Sequence, residues 1–262
     1  VHSYADPMTR RWGTLALCAA ALLPVTTGCL SAQPKPAPGP VDGFALRYEQ
    51  PAAADRAAHR FLRDRAVADP VLADLNAYLT LPYGVAVVAR SCSGQGTGYD
   101  PAAHRIELCY DDLAEERALF EQAGSPASDD QLADVVRETL YHEAGHALVD
   151  ALDLPDNGAR TEEDAADDFA RLMLLRARPE GEETLLTAAR AYDLAAAADP
   201  EPDPEDEHAP NTTRAESHRC AVHAEAPTRH PTLATPARTP CATTWPHTRD
   251  AWLKDLRPLL RA

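Results

Sequence analysis

The stretch Leu140-Tyr141-His142-Glu143-Ala144-Gly145-His146-Ala147-Leu148 carries the pattern H-E-x-x-H inside a run with helical periodicity. From Asp130 to Leu152 the apolar positions Leu132, Val135, Val136, Leu140, Ala144, Leu148 and Leu152 recur at threes and fours, the stripe of a half-buried helix. Ser128, Asp129 and Asp130 offer capping side chains ahead of it, and Pro155 with Gly158 stops the chain after it. Residues four apart on a helix lie one above the other, so His142 and His146 point the same way and two imidazole nitrogens can hold one metal ion. Zinc suits such ligands. Glu143 follows the first histidine directly, which sets its carboxylate beside the metal, where it can take a proton from water.

A catalytic zinc usually has three protein ligands and keeps a fourth position open. After the turn Leu154-Pro155-Asp156-Asn157-Gly158 comes Thr161-Glu162-Glu163-Asp164-Ala165-Ala166-Asp167-Asp168-Phe169-Ala170, with Thr161 placed to cap a second helix. Glu163 and Asp167 share a face of that helix, so one carboxylate can bind metal while the other accepts the free N–H of a ligating histidine. Asp164 and Asp168 offer the same spacing one step round. Ala166 and Ala170 lie on the side of the first pair and permit close helix approach, which favours that pair. The competing reading is an acidic, solvated helix N-terminus, which the helix dipole favours anyway.

The segment from Tyr141 to Leu148, a short Pro/Gly turn, then Glu162-Glu163-Asp164-Ala165-Ala166-Asp167 resembles the core of a bacterial family of proposed metallopeptidases. It is similar, more distantly, to gluzincins such as thermolysin. The resemblance covers about residues 50 to 255 and is strongest from Tyr141 to Asp168. It implies Glu163 as third ligand and Asp167 as the group that orients His142. In gluzincins a late histidine steadies the oxyanion, and His208, after the acidic run from Asp199 to Glu207, is the candidate for that role. The interval from His146 to Glu163 is shorter than in thermolysin, leaving a tight turn.

At the other end, Met8-Thr9-Arg10-Arg11-Trp12 reads as a start with a positive n-region, followed by the apolar Leu15 to Val25 and by Thr26-Thr27-Gly28-Cys29. Residues 1–28 therefore read as an export signal. It resembles a bacterial lipoprotein signal, which implies lipid on Cys29. The apolar run is shorter than the roughly 20 residues a membrane span needs. Residues 29–43, with Pro34, Pro36, Pro38 and Pro40, read as an extended tether. Cys92, Cys109, Cys220 and Cys241 remain for the exported domain, an even number in an oxidising space. Proximity favours Cys92 with Cys109 and Cys220 with Cys241, each bridge stabilising by about 3 kcal/mol on the chain-entropy model. A metal cluster of His218, Cys220, His223 and Cys241 is the rival.

Residues 44–262 read as one α+β, mostly helical domain. Helices are expected over Ala52–Val67, Pro70–Leu79 and Asp112–Ala123, and again over Glu182–Ala198. Gly84–Arg90 and Arg105–Tyr110 are β-prone and flank the Gly-rich Ser91–Asp100, which suggests a hairpin. In zincin-like enzymes an edge strand beside the active-site helix pairs with extended substrate, and this hairpin is the candidate. Residues 198–250 read as loop-rich, and a short amphipathic helix with Trp252, Leu253, Leu256, Leu259 and Leu260 closes the chain.

The formal charge is −16; removing residues 1–28 takes away Arg10, Arg11 and Asp6, a net +1, and leaves −17. That charge argues against nucleic acid and against a basic patch on a bilayer, so any membrane attachment comes through Cys29. The sequence sets no oligomeric state. The expectation is a zinc metallopeptidase with one Zn²⁺ per chain, held by His142, His146 and Glu163, with Glu143 as base and a peptide or protein substrate in the cell envelope or outside the cell. The alternatives are a non-catalytic zinc-binding envelope lipoprotein and an amide hydrolase of cell-wall peptides.

Overall fold

The computed structural model describes residues 43–261 except 156, 178 and 201–204. The signal-like residues 1–28, Cys29 and nearly all of the tether lie outside the described residues. Among those described, a four-stranded sheet and eight α-helices make up the domain. No described helix is long and apolar enough to cross a membrane.

The sheet runs in the order β1-β2-β4-β3, with β1 Phe44–Tyr48, β2 Val85–Arg90, β3 Gly98–Asp100 and β4 Arg105–Cys109. The expected hairpin between the two apolar segments is not what forms: β2 and β4 are parallel neighbours, with Val87 opposite Ile106 and Arg90 opposite Cys109. Residues 91–104 are long enough to carry the chain back for a parallel pairing, which a tight turn is not. The hairpin is instead β3 with β4, and β3 is one of the two edge strands, β1 being the other. In this register Cys92 and Cys109 leave the same end of adjacent strands, and they are bridged. β1 pairs in parallel with β2, a strand the sequence reading did not include.

Helix α1 spans Arg56–Asp64, shorter at both ends than the expected Ala52–Val67; α2, Asp69–Tyr78, is close to expectation, and α3 covers Tyr110–Gln122. The long α4, Asp129–Ala151, starts at a capping box: the Gln131 N–H donates to Ser128 Oγ, and the Ser128 N–H donates to Gln131 Oε1. Leu132, Val136, Leu140, Ala144 and Leu148 of its stripe are buried in the main core with Val87, Ile106, Phe169 and Met173, while Val135 joins a smaller cluster with Phe120 and Leu152 is partly buried. Helix α5, Ala159–Arg176, begins at Gly158 rather than at a Thr161 cap; the Thr161 hydroxyl donates back to the Asn157 carbonyl. A Cβ on Gly145 would stand 2.7 Å from the Ala166 Cα, so glycine there is what lets α4 and α5 touch backbone to backbone.

After α6, Glu180–Ala198, the expectation of a loop-rich 198–250 fails. Helix α7, Asn211–Glu225, packs on α6 and buries Ala215, His218, Ala221 and Val222. Its buried face is made of small residues and a histidine, so it lacks the leucine stripe that marks a helix in sequence. Helix α8, Cys241–Asp255, runs through Pro246, which reads as a breaker, and the Cys220–Cys241 bridge ties it to α7. That disulfide, with His218 buried elsewhere, rules out the Cys/His cluster. Trp252 docks α8 on α5, its indole N–H donating to the Ala165 carbonyl.

Candidate metal centre

Two turns in the middle of α4 and the first turns of α5 face each other across the Gly145–Ala166 contact. His142 Nε2 and His146 Nε2 lie 3.2 Å apart. Glu163 reaches in from α5, with Oε2 at 3.1 Å from His142 Nε2 and Oε1 at 3.3 Å from His146 Nε2. Asp164, one step round the helix, is exposed, and Asp168 pairs with Arg171 instead.

Each ring has its other nitrogen occupied by a carboxylate. His142 Nδ1 meets Asp167 Oδ1 at 2.9 Å, and His146 Nδ1 meets Glu162 Oε1 at 2.9 Å. His208, between α6 and α7, places Nε2 3.1 Å from Glu163 Oε2, with Nδ1 3.1 Å from Asp206 Oδ1. With the proton on Nδ1, each Nε2 lone pair is left for the centre. Among the described residues the buried Glu163 Oε2 accordingly receives no well-aligned hydrogen bond, although two ring nitrogens stand beside it.

These atoms fit a divalent cation. Tetrahedral zinc with ligands at about 2.0–2.1 Å spaces neighbouring ligand atoms about 3.3–3.4 Å apart, close to the separations among His142, His146 and Glu163. His142, Glu163 and His208 form an overlapping group whose ligand atoms lie within 4.8 Å of one another.

The electrostatics point the same way. Burial opposes charge on His142, yet hydrogen bonds to Asp167 and Glu163 and the charge of Glu143 carry its pKa up to about 10. Burial works to raise Glu163, but the three imidazoles around it hold its carboxyl well below the usual range. The site is a place where positive charge is held. Burial lifts Glu143 above the ordinary carboxylate range, against the pull of His142 and His146. That suits a group that takes up and releases a proton.

Behind the centre lies a buried polar network. The Arg214 guanidinium donates two hydrogen bonds to Asp167, at 2.6 and 2.9 Å, and lies over the Tyr192 ring. One turn before His142, Glu138 pairs with the fully buried His218 at 3.0 Å, and His218 also meets Arg171. Glu162, Asp206, Arg214 and this Glu138–His218 pair escape the sequence reading. Glu138 alone left a signal there, a carboxylate four residues before His142 and so on the same helix face.

Two cavities meet at the centre, sharing Thr97, His142, Glu143 and His208. One, about 460 Å³, lies between β3 and the His146 end of α4, with Gly98, Tyr99, Asp150 and Glu162 in its walls. The other, about 400 Å³, opens on the Glu143 side.

Fold and site together define a mostly helical domain whose buried H-E-x-x-H helix and neighbouring carboxylate form a centre suited to a metal ion. The chain belongs to the DUF4344 family, described as “Putative metallopeptidase”, whose profile matches residues 48–255. No curated protein and no solved structure matches it.

Proposed function

We propose that the protein is a zinc-dependent peptidase that hydrolyses peptide bonds outside the cytoplasm. The observation that carries this reading is the convergence of His142 Nε2, His146 Nε2 and Glu163 at 3.1–3.3 Å, with Glu143 buried beside them. Zinc bound there would supply a Lewis acid for the scissile carbonyl and a lowered pKa for water. The Glu143 carboxylate takes the proton of the attacking water and passes it to the leaving amine. Asp167 and Glu162 hold the two ligand rings in one tautomer and orientation, and Arg214 fixes Asp167 in turn. His208, its Nδ1–H on Asp206, turns Nε2 to the same centre; as the imidazolium, which the neighbouring Glu163 favours, it donates from Nε2 to the carbonyl oxygen as that atom gains charge. The edge strand β3 flanks the cleft and offers free backbone groups to an extended chain.

A second reading draws on His208. As a fourth protein donor it would close the centre, as in structural zinc sites, and the protein would bind zinc without turnover. The two readings separate in one experiment. Purified mature protein, expressed with ample metal, should hold about one zinc per chain and cleave fluorogenic peptides, while Glu143→Gln keeps the zinc and loses at least about a hundredfold in turnover. Peptide cleavage undiminished in Glu143→Gln would assign it to a contaminant, and zinc without cleavage in the wild type would favour the closed centre. A preparation without zinc would sink both. The export part of the reading draws support from the two disulfides. Four free thiols at Cys92, Cys109, Cys220 and Cys241 in native exported protein would contradict it, and a lipid on Cys29 calls for label from fatty acid that Cys29→Ser abolishes.

A further inference from the structure

The cavity on the Glu143 side of the centre runs between α3, α4 and α6. Its walls are mainly apolar, with Leu62, Leu113, Val135, Val136, Ala188 and Ala191. Most charged groups that line it are committed elsewhere. Glu138 is held by His218, Arg214 by Asp167, and Asp112 accepts from the Thr97 N–H and hydroxyl. Glu143 belongs to the centre, and Glu115 is exposed to solvent. Glu116 is different. Among the described residues it has no hydrogen bond and no ion pair, and its Oε2 is shut off from solvent.

A carboxylate placed so is costly unless something pairs with it. Burial lifts the Glu116 carboxyl to about 7, and the charges of Glu138, Asp112 and Glu115 push the same way. A cation brought beside Glu116 meets the attraction of that carboxylate, to which its acidic neighbours add. The apolar walls set the rest of the ligand: an alkyl stem long enough to cross them and ending in positive charge, as lysine and arginine side chains do.

We propose that this cavity is the side-chain pocket next to the scissile bond and that Glu116 makes it select a long basic residue, lysine or arginine. The cleavage part rests on the peptidase reading; the pocket's taste for an alkyl cation does not. At about 400 Å³ it has room for one such side chain. Its junction with the metal centre at His142, Glu143 and His208 puts the backbone of that residue at the reacting position. Glu116 acts on specificity only and touches none of the reacting atoms.

The test has two arms on the zinc-loaded protein. In the first, calorimetry compares hexylammonium with hexan-1-ol, and the ammonium should bind at least about tenfold more tightly. Glu116→Gln, which keeps size and removes charge, should erase that preference while leaving the melting temperature unchanged or higher, and Glu116→Leu should reverse it. Equal binding of the two probes by wild type, or a preference that survives Glu116→Gln, overturns the proposal. In the second arm, otherwise identical peptides carry lysine, norleucine or glutamate on either side of the cleaved bond. Lysine should exceed norleucine by about tenfold or more in kcat/KM at one of the two positions, glutamate should be worst there, and Glu116→Gln should bring lysine and norleucine level. Cleavage indifferent to lysine at both positions overturns the assignment of the pocket. If no peptide is cut while the ammonium preference holds and depends on Glu116, the peptidase reading falls and the cation pocket stands.

Discussion

At the scale of single residues, the centre divides carboxylates that face the histidines from those that only share the helix. Glu163 stands 3.1–3.3 Å from both ring nitrogens, whereas Asp164 is exposed about 100° further round α5. Glu163→Ala should therefore lose nearly all zinc, and Asp164→Ala should be close to silent by equilibrium dialysis. Asp167→Ala removes the partner of His142 Nδ1 and leaves Arg214 unpaired, so a loss of about 10- to 100-fold in zinc affinity is expected. Metal retained in Glu163→Ala and lost in Asp164→Ala would make the ligand an aspartate. The protonation of His142 gives a pH test. Its pKa in the folded, metal-free protein is raised to about 10, from about 6.5 in an unfolded chain. A raised folded-state pKa adds stability that is full below about 6.5 and is lost as pH climbs towards 10. Zinc needs the unprotonated ring, so its affinity rises over the same window. The gap in melting temperature between zinc-loaded and zinc-free protein should widen from pH 6.5 to 9, and a constant or shrinking gap in differential scanning calorimetry would contradict this assignment.

At the scale of elements, the centre depends on how closely α4 and α5 pack. Gly145 is inside the motif but contributes no chemistry; it removes the side chain that would strike Ala166, three residues after Glu163. Gly145→Ala should force α5 outward, costing about 1–3 kcal/mol as overpacking does. Its distinctive sign should be a zinc affinity lowered by tenfold or more in protein that remains folded by circular dichroism, because Glu163 moves with α5. Normal zinc affinity in that variant would show that the helices can separate without moving the ligand. The motif was legible in sequence because its spacing is local to one helix. Two of its supports were not: Glu162 comes from α5 and Asp206 from the loop that carries His208, 16 residues and 2 residues from the histidines they hold, and neither spacing is a helical signature.

At the scale of the whole molecule, the two disulfides close loops at opposite ends of the chain. Cys92–Cys109 joins parallel strands β2 and β4, and Cys220–Cys241 joins α7 to α8, which in turn leans on α5 through Trp252. Each should stabilise by about 3 kcal/mol on the chain-entropy model. Reduction should lower the melting temperature, with Cys220→Ser/Cys241→Ser affecting the half that carries the candidate centre through α8 and α5. An unchanged melting temperature after complete reduction, verified by thiol count, would show that packing alone holds these segments.

The sequence by itself determined what is written in short-range periodicity: the α4 stripe, the H-E-x-x-H spacing on it, the acidic face of α5, and the two disulfide pairings that lie close along the chain. The tertiary structure decided what depends on partners distant in sequence. Strand direction is one case, since β2 and β4 have the same apolar pattern whether parallel or antiparallel, and only the path of residues 91–104 settles it. Helix α7 is another, because its buried face of alanines and His218 becomes a core surface only once α6 lies against it. The same reason governs the chemistry. Burial by other elements turns Glu138, Arg171 and His218 into a network behind His142 and leaves the Glu116 carboxyl in a cavity without a partner among the described residues; no local pattern of residue types encodes what will surround a side chain.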